Sequence, residues 1–175
     1  MKTSTLLQSL LIATLGVLAA GCTRSAADPA VAARLQQLED REQIRELMAA
    51  YGATLDRRDF DAFGKLFAED AEYGSGPGAA RGRAAIQAQL ERIMASNPSN
   101  LPAPNFHLFF NPSIHVEGDQ ARAASLGAYT APDAASGSTR MVFFVSYDDT
   151  LVKRDGRWLF QRRVTGSGAP PALVR

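Results

Sequence analysis

The stretch Met48-Ala-Ala-Tyr51-Gly-Ala-Thr-Leu-Asp56-Arg-Arg-Asp-Phe-Asp-Ala-Phe63-Gly-Lys-Leu-Phe67-Ala-Glu-Asp70-Ala holds the end of one helix, a cap and the start of a second. Met48, Tyr51 and Leu55 fall at helical spacing, and the period extends backward through Leu47, Ile44, Leu38, Leu35 and Val31 with charges between them. This pattern predicts one long amphipathic helix that begins near Pro29, where Asp28-Pro29 suits a helix start, and stops between Leu55 and Arg58. Asp59 then caps a short second helix whose apolar face is Phe60, Phe63, Leu66 and Phe67. Further on, Ala71-Glu72-Tyr73 reads as a short strand and Gly74-Ser75-Gly76-Pro77-Gly78 as a loop. A third helix carries Ile86, Leu90, Ile93 and Met94 at i, i+4, i+7 and i+8.

After that helix the period changes to two. Strands are predicted over Asn105–Asn111, Ile114–Glu117, Gln120–Thr130, Met141–Arg154 and Arg157–Val164. Gly118-Asp119 and Asp155-Gly156 supply turns, and residues 131–138 form a longer loop. Helices first and strands after predict an α+β domain, a curved antiparallel sheet wrapped against three N-terminal helices.

The N-terminus carries a different signal. Lys2 gives a positive start, Leu6 through Val17 are free of charge, and small residues lead to Cys22, the three parts of an export signal too short to span a membrane comfortably. The chain has 19 Lys and Arg against 18 Asp and Glu, a net of +1; loss of Lys2 with the signal balances the rest, so no electrostatic footprint for nucleic acid exists. About 150 residues would remain, enough for one domain with a real core. Leu18-Ala-Ala-Gly-Cys22 resembles a bacterial lipobox, which implies that Cys22, the chain's single cysteine, receives lipid and becomes the new N-terminus. Ordinary cleavage at an Ala-x-Ala-like site is the alternative, since Ala19 stands where a larger aliphatic residue is usual. The expected organisation is a signal peptide over residues 1–21, a lipidated start and linker over 22–29, a domain over 30–166 and a tail over 167–175. Thr23 after the cysteine implies, by the lipoprotein sorting pattern, the outer membrane or the periplasmic side of the envelope.

The Met48–Ala71 string resembles the helical opening of SnoaL-like proteins in the nuclear transport factor 2-like superfamily. Asp155-Gly-Arg-Trp158 with Arg162 and Arg163 is similar to the hairpin that ends those domains. His107-Leu-Phe-Phe-Asn111-Pro followed by Glu117-Gly-Asp-Gln-Ala121 resembles their middle strand pair. Together these span roughly residues 35 to 166. The resemblance implies a conical α+β barrel whose hollow holds a small, mostly apolar ligand, and a homodimer through the sheet. It also implies, from the scytalone dehydratase and hexachlorocyclohexane dehydrochlorinase branch, a histidine base on the middle strand oriented by an aspartate at the end of the first helix, here His107 and Asp56. Imidazole titrates near working pH and takes a proton from carbon or oxygen, while a carboxylate on its other nitrogen fixes the tautomer. Such a dyad serves elimination, dehydration or isomerisation with no metal or organic cofactor. The other outcome is a non-catalytic lipoprotein that binds a small hydrophobic ligand or a protein partner through the same fold.

Residue types alone leave both readings open. His107 lies in an apolar strand where a packed core histidine is the common outcome, and Asp56 can equally be a solvated turn residue. Tyr51 and Asp56 point about 140° apart on an unbroken helix, so both line one cavity only if the helix ends near Leu55. The expected hollow is lined by Tyr51, Phe63, His107, Phe109, Tyr147 and Asp149. Asn111, about 13 Å along the strand from His107, either lines the far end of the pocket or caps a turn before Pro112. Asp149 either sits in the pocket or pairs at the surface with Arg162 or Arg163; the resemblance selects Arg163 as the pocket arginine. His115 is expected outside, and Trp158 and Phe160 in the core. Gly74-Ser75-Gly76 holds no carboxylate where ketosteroid isomerases place their base, and no phosphate loop, nucleophile elbow or His-x-x-x-His pair is visible.

Overall fold

The computed structural model describes residues 28–97, 100, 105–133 and 135–167. The export signal, Cys22 and residues 168–175 of the tail lie outside the described residues. Helix α1 spans Pro29–Asp56; the Asp28 carboxylate accepts the Ala30 N–H at 2.9 Å and Pro29 occupies the first turn, so the helix starts where its caps dictate. Ile44, Leu47, Met48, Tyr51 and Leu55 are buried against the rest of the domain. Val31, Leu35 and Leu38 are exposed, because Leu35 and Tyr51, sixteen residues apart, lie about 160° from each other around the axis. The sequence thus carries two apolar stripes on opposite faces where a single one was expected.

The chain turns sharply after α1. Arg58 adopts a left-handed φ of 59°, and the Asp59 side chain accepts the Ala62 N–H at 3.0 Å to start α2, Phe60–Gly64. Leu66 and Phe67 do not extend that helix; Phe67 opens β1, Phe67–Tyr73, longer than the three-residue strand expected. After one 3-10 turn come β2, Ala80–Arg81, and α3, Arg83–Ser96, of which Ile86 and Leu90 are buried. The remaining strands are β3 Phe106–Glu117, β4 Gln120–Pro132, β5 Thr139–Arg154 and β6 Arg157–Ser167.

One six-stranded sheet runs in the order β2-β1-β6-β5-β4-β3. Neighbours β3 to β6 form an antiparallel meander, but β1 lies parallel to β6, a pairing that local pattern cannot reveal. The two strands expected on either side of Pro112 are one strand with a bulge. The register steps from Phe110 opposite Leu126 to Ser113 opposite Ala124, leaving Asn111 and Pro112 facing a single residue. A proline has no N–H for a ladder, and Asn111 takes a left-handed φ of 49°, so the bulge absorbs both.

Helix α1 crosses the concave side of the sheet and is fastened at two places. At one, the buried Asp40 carboxylate accepts from Trp158 Nε1 at 2.9 Å and from Lys153 Nζ at 2.7 Å, tying α1 to the β5–β6 hairpin. Burial raises the Asp40 pKa, but the bonds from Lys153, Trp158 and Gln36 outweigh it and hold the carboxyl below its usual range. Trp158 and Phe160 are core residues, as expected. The second fastening is against β3 and forms the candidate site.

Candidate functional site

The last residue of α1 meets the second residue of β3. Asp56 Oδ1 lies 2.5 Å from His107 Nδ1, and the same carboxylate accepts the His107 backbone N–H at 3.2 and 3.1 Å through its two oxygens. The His107 side chain is 2% exposed and that of Asp56 16%, so the contact is screened only on the carboxylate side. With Nδ1 turned to Asp56, Nε2 points away from it; this atom is buried and has no hydrogen-bond partner in the described structure. A carboxylate against Nδ1 favours the tautomer that carries its proton there, which leaves the lone pair on Nε2.

Gly52 makes this contact possible. A Cβ built there would lie 2.8 Å from Phe109 Cε2 and 3.0 Å from His107 Cβ, so only glycine lets β3 approach α1 so closely. Gly52 and Asp56 are four residues apart on one helix face, while Tyr51 points to the interior beside it. Tyr51 and Asp56 flank His107 from two sides: α1 ends at Asp56, within the span expected for its stop, and the Tyr51 ring stands edge-on at 6.2 Å from the imidazole. A helix-interior glycine costs about 1 kcal/mol against alanine, and that local cost was the available signal for a close backbone approach.

A cleft of about 420 Å³ opens between α1 and β3. Asp56, His107 and Phe109 line it together with Arg45, Met48, Ala49, Gly52, Ala53, Leu108 and Pro112. Three of the predicted site residues thus share a concave, largely apolar surface. Tyr129, which sequence reading did not single out, is the cross-strand partner of His107 and packs on its ring at a centroid distance of 4.0 Å, backed by Phe143 at 4.6 Å. Only strand register identifies it.

The other predicted lining residues pack into the closed interior. Tyr51, Phe63, Tyr147, Asp149 and Arg163 are all at most 2% exposed, and none lines the α1–β3 cleft. The Arg163 guanidinium lies 4.0 Å from the Tyr51 ring centre, 4.1 Å from Tyr147 and 4.3 Å from Phe160. Asp149 is its cross-strand neighbour, so the surface pairing considered for Asp149 is replaced by a buried one. Arg163 Nη2 donates to Asp149 Oδ2 at 3.2 Å; Nε lies 3.0 Å from Oδ1 but outside hydrogen-bond angles, so that approach is coulombic. Burial pushes the Asp149 carboxyl up to about 6 although Arg163 pulls it down. Burial also drives the phenols of Tyr51 and Tyr147 upward, so both stay neutral; Tyr51 shares a 3.0 Å hydroxyl contact with Tyr73.

Asn111 is corrected outright. It is exposed in the β3 bulge with a left-handed φ and does not line the α1–β3 cleft, and because the strand runs on through it to Glu117 it is no strand-end turn cap either. His115 lies outside as expected, 41% exposed and 3.0 Å from Glu117.

The profile of the SnoaL-like domain matches residues 36–164, nearly the whole described fold. Uncharacterised proteins of Mycobacterium tuberculosis and Mycobacterium bovis are 27% identical over 132 residues, covering 73% of this chain and 85% of theirs. Among solved structures, a nuclear transport factor 2-like protein with a cystatin-like fold from Novosphingobium aromaticivorans superposes with a TM-score of 0.66 at 33% identity, over 81% of this chain and 90% of that one. A protein of the same organism named as a candidate scytalone dehydratase gives a TM-score of 0.61 at 27% identity, over 79% and 91%. A chain with this helix-over-sheet architecture and this match along its length belongs to the SnoaL-like family.

Proposed function

We propose that this protein is a cofactor-independent lyase or isomerase acting on a small hydrophobic substrate in the cell envelope, with His107 as base and Asp56 as its orienter. The observation that carries the reading is the 2.5 Å Asp56–His107 contact beside an apolar cleft, with Nε2 left unpartnered. Nε2 takes a proton from a carbon next to an electron-withdrawing group, and the released pair forms a new double bond. In an elimination the leaving group departs with its own electron pair. In a dehydration the imidazolium returns its proton to the departing hydroxyl, giving water and restoring the neutral base. In an isomerisation the proton returns to a different carbon. Asp56 stabilises the transient imidazolium throughout. The likeness to a structure named as a candidate scytalone dehydratase supports the dehydration branch.

Phe109 supplies apolar wall, and Tyr51, Phe63, Tyr147, Asp149 and Arg163 form the support behind it, reached only if the interior opens toward substrate. That closed packing is also what favours the second reading, a binding protein that uses the cleft without turnover. Cys22 anchors the mature chain by lipid to the outer membrane or the periplasmic side of a bacterial membrane. Two copies pair through the outer sheet face, where exposed Leu108 and Phe144 stand in one row across Ala128. Incubation with a panel of small cyclic β-hydroxy ketones and halides, followed by mass spectrometry, tests the enzyme reading. Loss of water or hydrogen halide that vanishes in His107→Ala is expected. Cleft binding by thermal shift with neither a mass change nor a new isomer separated by chromatography in any compound would leave the binding protein in its place.

A further inference from the structure

The first three turns of α1 bury nothing within the domain: every residue from Asp28 to Glu39 is exposed. They are nonetheless a specified helix, with a side-chain cap at Asp28 and proline in the first turn. Val31, Leu35 and Leu38 are 61%, 54% and 56% exposed and fall within about 60° of one another around the axis. Their stripe faces away from the domain, because Asp40, Ile44 and Tyr51 mark the opposite, buried face. Arg34 and Arg41 flank it on one side.

We propose that this stripe lies on the surface of the lipid bilayer, making the start of α1 an interfacial helix that sets the orientation of the domain and its cleft. The proposal rests on the lipid-anchor reading of Cys22. Only six residues lie between Cys22 and Pro29, and the seven Cα–Cα steps limit the helix start to about 25 Å from an anchored cysteine. Among the described residues no helix is long and apolar enough to cross a membrane, so the stripe lies on the bilayer rather than through it. Three large apolar side chains bind a bilayer weakly by themselves, but a tether of this length keeps them at high local concentration beside it. A second copy of the chain fits the stripe less well, since the helical seam it begins runs into Glu42 and Arg45 within two turns.

The test uses the mature full chain purified from bacterial envelopes and reconstituted into vesicles of phosphatidylethanolamine and phosphatidylglycerol, with or without bromine on the acyl chains. Leu35→Trp and Ala33→Trp place a fluorophore on the stripe and on the exposed opposite face, and the unsubstituted protein provides the background of buried Trp158. The added Leu35→Trp emission is expected to shift to the blue and fall by at least half with brominated lipid, while Ala33→Trp changes little. Equal quenching at both positions, or none at Leu35→Trp, overturns the proposal. A blue shift without bromine quenching, accompanied by a cross-linked dimer, overturns it in favour of a second copy. The mass of the N-terminal peptide reports the anchor separately. An unacylated Cys22 refutes the anchor reading, and quenching confined to Leu35→Trp in that sample still sustains the interfacial helix.

Discussion

One carboxylate, that of Asp56, engages both the imidazole and the backbone N–H of His107, so it fixes the ring and the strand that carries it. His107→Ala is expected to abolish turnover with ligand affinity largely kept. Asp56→Asn should keep the fold and lower the rate on the order of 10² to 10⁴-fold. The two losses should not add, because an orienter has no role once its base is gone; a double mutant slower than His107→Ala by the full Asp56→Asn factor would sink the dyad. The buried Asp149 yields a second residue-scale prediction. Its folded pKa, about 6, lies above the ordinary value of 3.8, so its contribution to stability is complete below the lower value and is lost as pH rises through the upper one. The loss is on the order of 3 kcal/mol between pH 4 and 7. Urea titrations across that range should show this decline in the native protein relative to Asp149→Asn, and parallel curves would show that burial does not dominate at Asp149. Removing the carboxylate altogether in Asp149→Ala strands the Arg163 guanidinium, at an expected cost of about 3–5 kcal/mol in the same measurement.

At the scale of elements, the site depends on how near β3 comes to α1. Gly52→Ala should gain about 1 kcal/mol of helix propensity and lose about 1–3 kcal/mol to overpacking against Phe109 and His107. The net expectation is mild destabilisation in urea together with a drop in turnover larger than the stability loss explains, because β3 must retreat from Asp56. A more stable, fully active variant would show that the close approach is dispensable. The middle of α1 is tied down independently through Asp40, Lys153 and Trp158, so displacement of β3 should leave the helix in place.

For the whole molecule, pairing through the outer sheet face predicts that Phe144→Lys, alone or with Leu108→Lys, converts a dimer to a monomer in sedimentation velocity with the thermal transition retained. A monomeric parent protein would refute that assembly. The sequence by itself determined most of the elements and their order, though neither β2 nor the continuity of β3: α1 with its start at Asp28-Pro29, the Asp59 cap of α2, the Asp155-Gly156 hairpin, and the membership of His107 and Phe109 on one strand face. These are local, set by side-chain periodicity and by turn and cap chemistry within a few residues. Resemblance to a family singled out Asp56 and His107, but their contact spans 51 residues of chain and was beyond any periodicity. Only the tertiary structure decided the rest. Strand pairing across the sheet placed Tyr129 on His107, set β1 parallel to β6 and closed the core around Arg163 and Asp149. The path of α1 over the concave face decided which of its two apolar stripes is buried, because a helix presents both in sequence and only the surface it packs against selects between them.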